Sequence, residues 1–389
     1  MNLKIIYIFF IFLLLSLSIR SQVTDSLILK EINEAKSLIE SNVPNALDVA
    51  NSAFINSRDL NFDFGISESY LIVGRCYIQT ADYEQAQKSL NIALKYAKKI
   101  KDQALISDCY FYLGKACFIT GNIQMRLSWF NKSFTLRKAL NDQKRLADSY
   151  HTYGNICLEL KQDSLAESYF NLSKNIRLKM NDLKGLASIY NNLAIIAGNR
   201  KNTLLYRSLL FEAIRMNEQM GNMRNLATNN GNLGLSYFEQ GNYDSAWYYS
   251  YLAFEIRKKN DFKDHLAGTY TDLGDILFAQ KRYALALPYY KQGAEVAKSI
   301  SGTEWMIKNY LALVKTYAVL DSTKLQLKYK EMADSINKER KADTLLTEKI
   351  PPPPAFDFAD PESKPKLLWY ACGIILLGLT GFIYYKRKR

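Results

Sequence analysis

Residues 67–100 read SESYLIVGRCYIQTADYEQAQKSLNIALKYAKKI, and residues 227–260 read ATNNGNLGLSYFEQGNYDSAWYYSYLAFEIRKKN. The two stretches align without a gap. In each, large apolar and small residues recur at three and four positions, the helical period. Working outward, the match repeats every 40 residues. One column runs Gly74, Gly114, Gly154, Ala194, Gly234, Gly274. Four residues earlier stand Tyr70, Tyr110, Tyr150, Tyr190, Asn230, Tyr270 and Tyr310. A later column reads Ala46, Ala86, Arg126, Ala166, Tyr206, Ala246, Ala286. Another reads Ala53, Ala93, Ser133, Ser173, Ala213, Ala253, Gly293, Ala333. Glycine inside a helix lowers intrinsic helicity. Its repetition therefore needs a packing reason, and close approach of a second helix supplies one. Gly, Asn and Asp between the apolar runs, as at Gly121-Asn122, Asn141-Asp142, Asn181-Asp182 and Gly241-Asn242, mark turns.

These columns resemble the tetratricopeptide repeat, whose first helix carries an aromatic, Leu-Gly and Tyr, and whose second carries Ala, an aromatic and Ala. Tyr70, Val73-Gly74, Tyr77, Tyr83, Ala86, Leu90 and Ala93 carry the likeness in one unit; Leu233-Gly234, Tyr237, Tyr243, Ala246 and Ala253 carry it in another. The resemblance implies an all-α, right-handed solenoid of about eight 40-residue helix pairs over residues 22–348. The family's usual period is 34, so a longer second helix is expected in each unit. Arg126 and Tyr206 in place of the small alanine imply looser packing or tilting there.

The 389 residues carry 51 basic and 38 acidic side chains, a net charge of +13. Apolar residues at 48% and aromatics at 13% exclude a disordered chain. Lys4, Arg20, Lys366, Lys386, Arg387, Lys388 and Arg389 lie at the two ends in segments without acids, leaving +6 over residues 21–365. That is ordinary, and nucleic acid is not an expected partner. Residues 5–19, IIYIFFIFLLLSLSI, follow Lys4 as the apolar core of a signal peptide over residues 1–21. An uncleaved anchor is the alternative. Residues 367–385, LLWYACGIILLGLTGFIYY, are uncharged and edged by Trp369, Tyr370, Tyr384 and Tyr385, as a single membrane-spanning helix would be. The basic tail 386–389 then faces the cytoplasm and the repeats lie outside it, periplasmic in a Gram-negative cell. Residues 349–366, opening on Pro351–Pro354, read as a spacer, or alternatively as a proline-rich ligand. This order of segments resembles the sensor half of Gram-negative membrane receptors, without their cytoplasmic output domain. A cleaved sorting tail is a third reading of the C-terminus.

Catalytic chemistry finds no foothold. The two histidines, His151 and His265, stand on different units, and Cys76, Cys109, Cys117, Cys157 and Cys372 show no CxxC spacing. No phosphate-loop, nucleophile-elbow or HExxH motif occurs. No enzyme activity, cofactor or metal is expected. In the tetratricopeptide family the first helices line a concave groove. Carried onto this chain, the groove positions include Phe111, Phe118, His151, Asn155, Asn191, Asn192, Asn232, Asp272 and Phe278. Asn155, Asn192 and Asn232 stand where the family grips a peptide main chain, with His151, Asp272 and Phe111 beside them. An amide offers donors and an acceptor and so demands no particular ligand sequence. The expectation is a membrane-anchored extracytoplasmic scaffold for a protein or peptide. The alternative is a sensor subunit signalling through a separate kinase or regulator.

Overall fold

The computed structural model describes residues 25–117 and 123–346. The expected signal peptide, spacer, membrane span and basic tail lie outside the described residues, as do Phe118 and the turn at 120–122. Among the described residues no helix is long and apolar enough to cross a membrane.

The described residues form sixteen α-helices and no strand. They divide into two compact units, residues 25–136 and 137–346. The first holds α1 (25–38), α2 (Val43–Asp59), α3 (Asp63–Gln79), α4 (Tyr83–Lys99), α5 (Gln103–Ala116) and most of α6 (Ile123–Ala139). The second holds α7 (Gln143–Glu159), α8 (Asp163–Lys179), α9 (Leu183–Asn199), α10 (Thr203–Met220) and α11 (Met223–Glu239). It continues through α12 (Tyr243–Lys259), α13 (Lys263–Ala279), α14 (Tyr283–Ser299), α15 (Thr303–Val319) and α16 (Thr323–Leu346).

The 40-residue period splits into equal halves. Both helices of a unit are 17 residues long, as in α3 and α4 or α7 and α8. The extra length over 34 is therefore shared, and the expected longer second helix is corrected. First helices begin before the aromatic column, at Asp63 ahead of Tyr70 for example.

Each turn is built alike. A residue with positive φ recurs every 20 positions: Asn61, Ala81 and Lys101 in the first unit, then Asn141, Lys161, Asn181, Lys201, Gly221 and onward to Asp321. The next N–H bonds a carbonyl five residues back, as Asp82 N to Tyr77 O at 2.8 Å and Asp182 N to Arg177 O at 3.0 Å. This is the Schellman closure of a helix C-terminus. The same residue then caps the following helix. Asp82, Asp142, Asp182, Asn202 and Asn242 each accept a bond from the backbone N–H three residues on.

The small column does what close packing requires. A Cβ on Gly154 would lie 2.5 Å from Phe170, on Gly274 2.5 Å from Tyr290, and on Gly74 2.6 Å from Leu90. In each pair the second helix drives a large side chain onto the glycine of the first. Ala194 meets Leu210 in the corresponding pair. Tyr206 is half-buried where the column's alanines are fully buried, and its ring lies by Gly198, whose missing Cβ would fall 3.6 Å from it. Arg126 is buried.

Candidate functional site

The site residues sit on the first helices, and the second unit gathers most of them. On α7, His151 and Asn155 are four residues apart and so share a face. On α9, Ser188 and Asn192 repeat that spacing one unit later. Asn192 Nδ2 lies 2.8 Å from His151 Nε2 and donates to Asn155 Oδ1 at 2.8 Å. Ser188 Oγ lies 3.4 Å from the same imidazole nitrogen. The His151 ring rests on Phe170, with centroids 5.7 Å apart. Three of the expected residues thus form one hydrogen-bonded cluster across two helices.

The remaining expected residues fall differently. Asn232, one unit further on α11, is half-buried. Asp272 on α13 is half-buried too, and burial pushes its carboxyl up to about 6, helped by the Asp275 charge and opposed by Arg257 and Lys308. Phe278 packs edge-on against Tyr283. Phe111 is corrected: it is 5% exposed and locked edge-to-face on Phe130 at 5.5 Å. Leu71, 40 residues earlier, is buried as well. At Leu71 and Phe111 this row belongs to the core, whereas at His151 and Asn191 it is polar and half-buried.

The sequence reading missed two features of the same face. Ile195 and Leu235 occupy one column on α9 and α11 and are 51% and 52% exposed. They place an apolar strip beside the amides. Beneath, a second set of amides joins the helices. Asn217 on α10 donates to Asn229 Oδ1 on α11 at 3.0 Å, and Asn229 donates to Asn191 Oδ1 on α9 at 2.5 Å. A column of mostly polar residues at Arg137, Arg177, Asn217 and Arg257 signalled this layer, since polar side chains at a repeated position require repeated partners. Arg177 is ion-paired to Asp148 at 2.6 Å and to Asp182, with 8% of its side chain exposed.

The cysteines at 76, 109, 117 and 157 are free thiols in the interior. Burial pushes Cys76 up to about 11 and raises Cys109 further. Neither has the thiolate character of a nucleophile.

Models of the tetratricopeptide repeat match residues 67–100 and 225–299. No curated protein sequence matches the chain. Among solved structures, the apo form of RapI is similar with a TM-score of 0.58 at 17% identity, covering 81% of this chain and 99% of that one. A Rap protein complexed with competence and sporulation factor gives 0.52 at 16%, covering 83% and 90%. BtubC from P. vanneervenii gives 0.51 at 18%, covering 57% and 92%. At such identities these likenesses speak for the fold.

Proposed function

For this chain, a protein of tetratricopeptide repeats, we propose a scaffold that holds an extended peptide or protein segment along the first helices of its second unit. The observation that carries this is the cluster of His151, Asn155 and Asn192 lying beside the exposed Ile195 and Leu235. Amides suit a main chain, and the two aliphatic side chains suit apolar groups hung from it. A Rap protein of similar fold has been solved with competence and sporulation factor bound, which supports a partner-binding use of such repeats. We further propose that residues 1–21 direct export and that residues 367–385 anchor the scaffold, with the repeats outside the cytoplasm and residues 386–389 inside it.

Photo-crosslinking in intact cells tests the binding face. A photoreactive residue at position 195 or 235 should capture a discrete adduct that the same residue at exposed Leu172 on α8 does not. Equal labelling at all three positions, or none at 195 and 235, overturns the reading. Protease added to cells whose outer membrane has been opened and whose inner membrane is intact should cut the repeats but leave a tag placed after Arg389. The 24-residue α16, which runs from the last repeat toward the spacer, favours a sensor subunit as second reading. Replacing residues 367–385 by polyleucine and deleting 386–389 distinguishes the two, because a plain tether survives both changes.

A further inference from the structure

The ordinary total charge of the repeats conceals an uneven placement. Short turns make successive helices antiparallel, so the second helices of the second unit all run the same way. The unit therefore has two edges. One joins the ends of second helices to the starts of first helices, at residues 137–146, 177–186, 217–226, 257–266 and 297–306. It holds 13 basic and 6 acidic residues. The other, at residues 157–166, 197–206, 237–246, 277–286 and 317–326, holds 6 and 5. On the first edge Arg137, Arg177 and Arg257 are buried and bonded within the fold. Arg145 is half-buried, and the remaining cations are exposed. Lys138, Lys144, Lys179, Lys259 and Lys298 enter no ion pair among the described residues.

Local helix stability accounts for only half of this edge. Cations in the last turn of a helix complement its dipole, and Lys138, Lys179, Lys258, Lys259 and Lys298 sit in such turns. The first turn of a helix prefers acids instead. The first turns of α7, α9 and α11 carry none, and their second residues are Lys144, Lys184 and Arg224. Three successive first helices thus set a cation against the dipole at one place. On the opposite edge α8 and α12 put Asp163 and Asp244 in the first turn, and only α16, with Lys324, departs from the preference. The course of the chain supplies a second observation. α16 runs parallel to α14 but has 24 residues to its 17. At 1.5 Å per residue its end lies about 10 Å beyond the basic edge. The chain therefore leaves the unit on this side, and residues 347–366 separate that exit from the apolar stretch 367–385.

Resting on the reading that residues 367–385 anchor the chain, we propose that the basic edge of the second unit docks on the anionic lipid headgroups of the membrane that holds it. A bilayer is a broad sheet of charge, and it fits cations spread over five joins better than a compact ligand does. Lysine suits this use, because a point charge on a long stem meets phosphates without a fixed geometry. Each lysine close to an anionic surface contributes about a fivefold gain in binding. With the tip of α16 at the headgroups, the edge stands about 10 Å above them, near one Debye length of about 8 Å, and lysine stems reach into that gap. The anchor raises the effective concentration of the surface, so a weak edge suffices. The helices of the unit then stand end-on to the bilayer, and the face of His151 and Asn192 stays open to a partner.

The test uses the full-length protein in vesicles of phosphatidylcholine alone or mixed with phosphatidylglycerol. In a Cys372→Ser background a fluorophore is attached at Asn260→Cys on the basic edge or at Gln240→Cys on the opposite one, both exposed positions. Energy transfer to a headgroup-labelled lipid is then read. Transfer from position 260 should at least double when phosphatidylglycerol is present and fall back in about 1 M salt, where the Debye length is about 3 Å. Transfer from position 240 should not change. Lys179→Glu, Lys259→Glu and Lys298→Glu together should abolish the rise. Lys161→Glu, Lys201→Glu and Lys281→Glu, an equal reversal on the opposite edge, should leave it, with thermal melts showing both variants folded. Carbonate washing tests the anchor separately. Protein that stays in the vesicles with transfer indifferent to lipid charge overturns the edge and keeps the anchor. Protein that washes off yet sediments with anionic vesicles through the same three lysines overturns the anchor and keeps the edge. Protein that washes off and does not sediment overturns both. Tighter binding to duplex DNA than to anionic vesicles at the same salt, lost in the first triple variant, overturns the lipid assignment.

Discussion

Placing a methyl group on Gly154 tests the packing rule that sets the repeat. Two effects oppose each other. Alanine in a helix interior is better than glycine by about 1 kcal/mol. Against that, the new Cβ would sit 2.5, 2.6 and 2.8 Å from three ring atoms of Phe170, which is fully buried. Overpacking of this kind costs about 1–3 kcal/mol, and contact with three atoms of a rigid ring puts it at the upper end. Gly154→Ala is therefore expected to lose about 2 kcal/mol. Phe170→Leu alone leaves a small void and loses about 1 kcal/mol. The double variant reproduces the Ala194–Leu210 pair of the next unit, and a leucine can turn aside where a ring cannot. It should lose less than about 1 kcal/mol, against about 3 from simple addition, a coupling near 2 kcal/mol. Urea unfolding of all four proteins, followed by circular dichroism and tryptophan fluorescence, measures the cycle. Additivity within about 0.5 kcal/mol, or a stabilising Gly154→Ala, refutes the claim that this column is small because of the facing side chain.

Asp272 gives a pH prediction. Its folded carboxyl titrates at about 6 against an ordinary 3.8, so the folded state binds this proton more tightly than the unfolded chain. Stability from this group is full below pH about 4 and is lost as pH rises to about 6. Asp272→Asn should then raise stability at pH 7.5 by about 2 kcal/mol and change nothing at pH 3.5, as thermal melts at the two pH values would report. Arg177→Met removes both ion pairs but leaves Asp148 and Asp182, at 41% and 26% exposure, open to water. The loss should be about 1–2 kcal/mol by urea midpoint, below the ~3–5 kcal/mol seen when a buried charge is stranded. Alkylation by iodoacetamide at pH 8 should leave Cys76 and Cys109 unlabelled in the folded protein, by peptide mass mapping, because burial holds both thiols protonated.

The helices were legible because a 3.6-residue rhythm repeated without insertion leaves little choice of fold. The halving of the period was not. Turns at Asn61, Asn141, Asn181, Gly221 and Gly241 carry residues suited to positive φ. Ala81, Lys101, Lys161, Lys201, Lys281 and Ser301 adopt the same conformation without that signal. The Schellman bonds around them, such as Gln162 N to Cys157 O at 2.8 Å, hold the turn whatever the side chain. The groove positions were half legible. A family position names a place on a helix, and His151, Asn155 and Asn192 meet because polar side chains at that place can bond across units. Phe111 occupies the same place and closes it, because an aromatic at a seam between packed helices gains more from Phe130 than from water.

The layer beneath the site explains why consecutive units keep one register. At the column of Ser57, Ala97, Arg137, Arg177, Asn217, Arg257 and Ala297, alanine would suffice for packing, and two units use it. Where the column is polar in the second unit, the partner comes from the first helix that follows. Arg137 donates to Ser149 at 2.9 Å, Asn217 to Asn229 at 3.0 Å, and Arg257 to Thr269, each 12 residues on. Ile189 occupies that place after Arg177, and the guanidinium turns to Asp148 and Asp182 instead. A slide of one helical turn would leave each of these groups buried without a partner, a cost of about 1–3 kcal/mol apiece. Apolar contacts between helices tolerate such a slide far better. Of the four, Asn217 passes its bond on through Asn229 to Asn191, so the layer that holds the register of the repeats reaches from α10 through α11 to the half-buried polar side of α9.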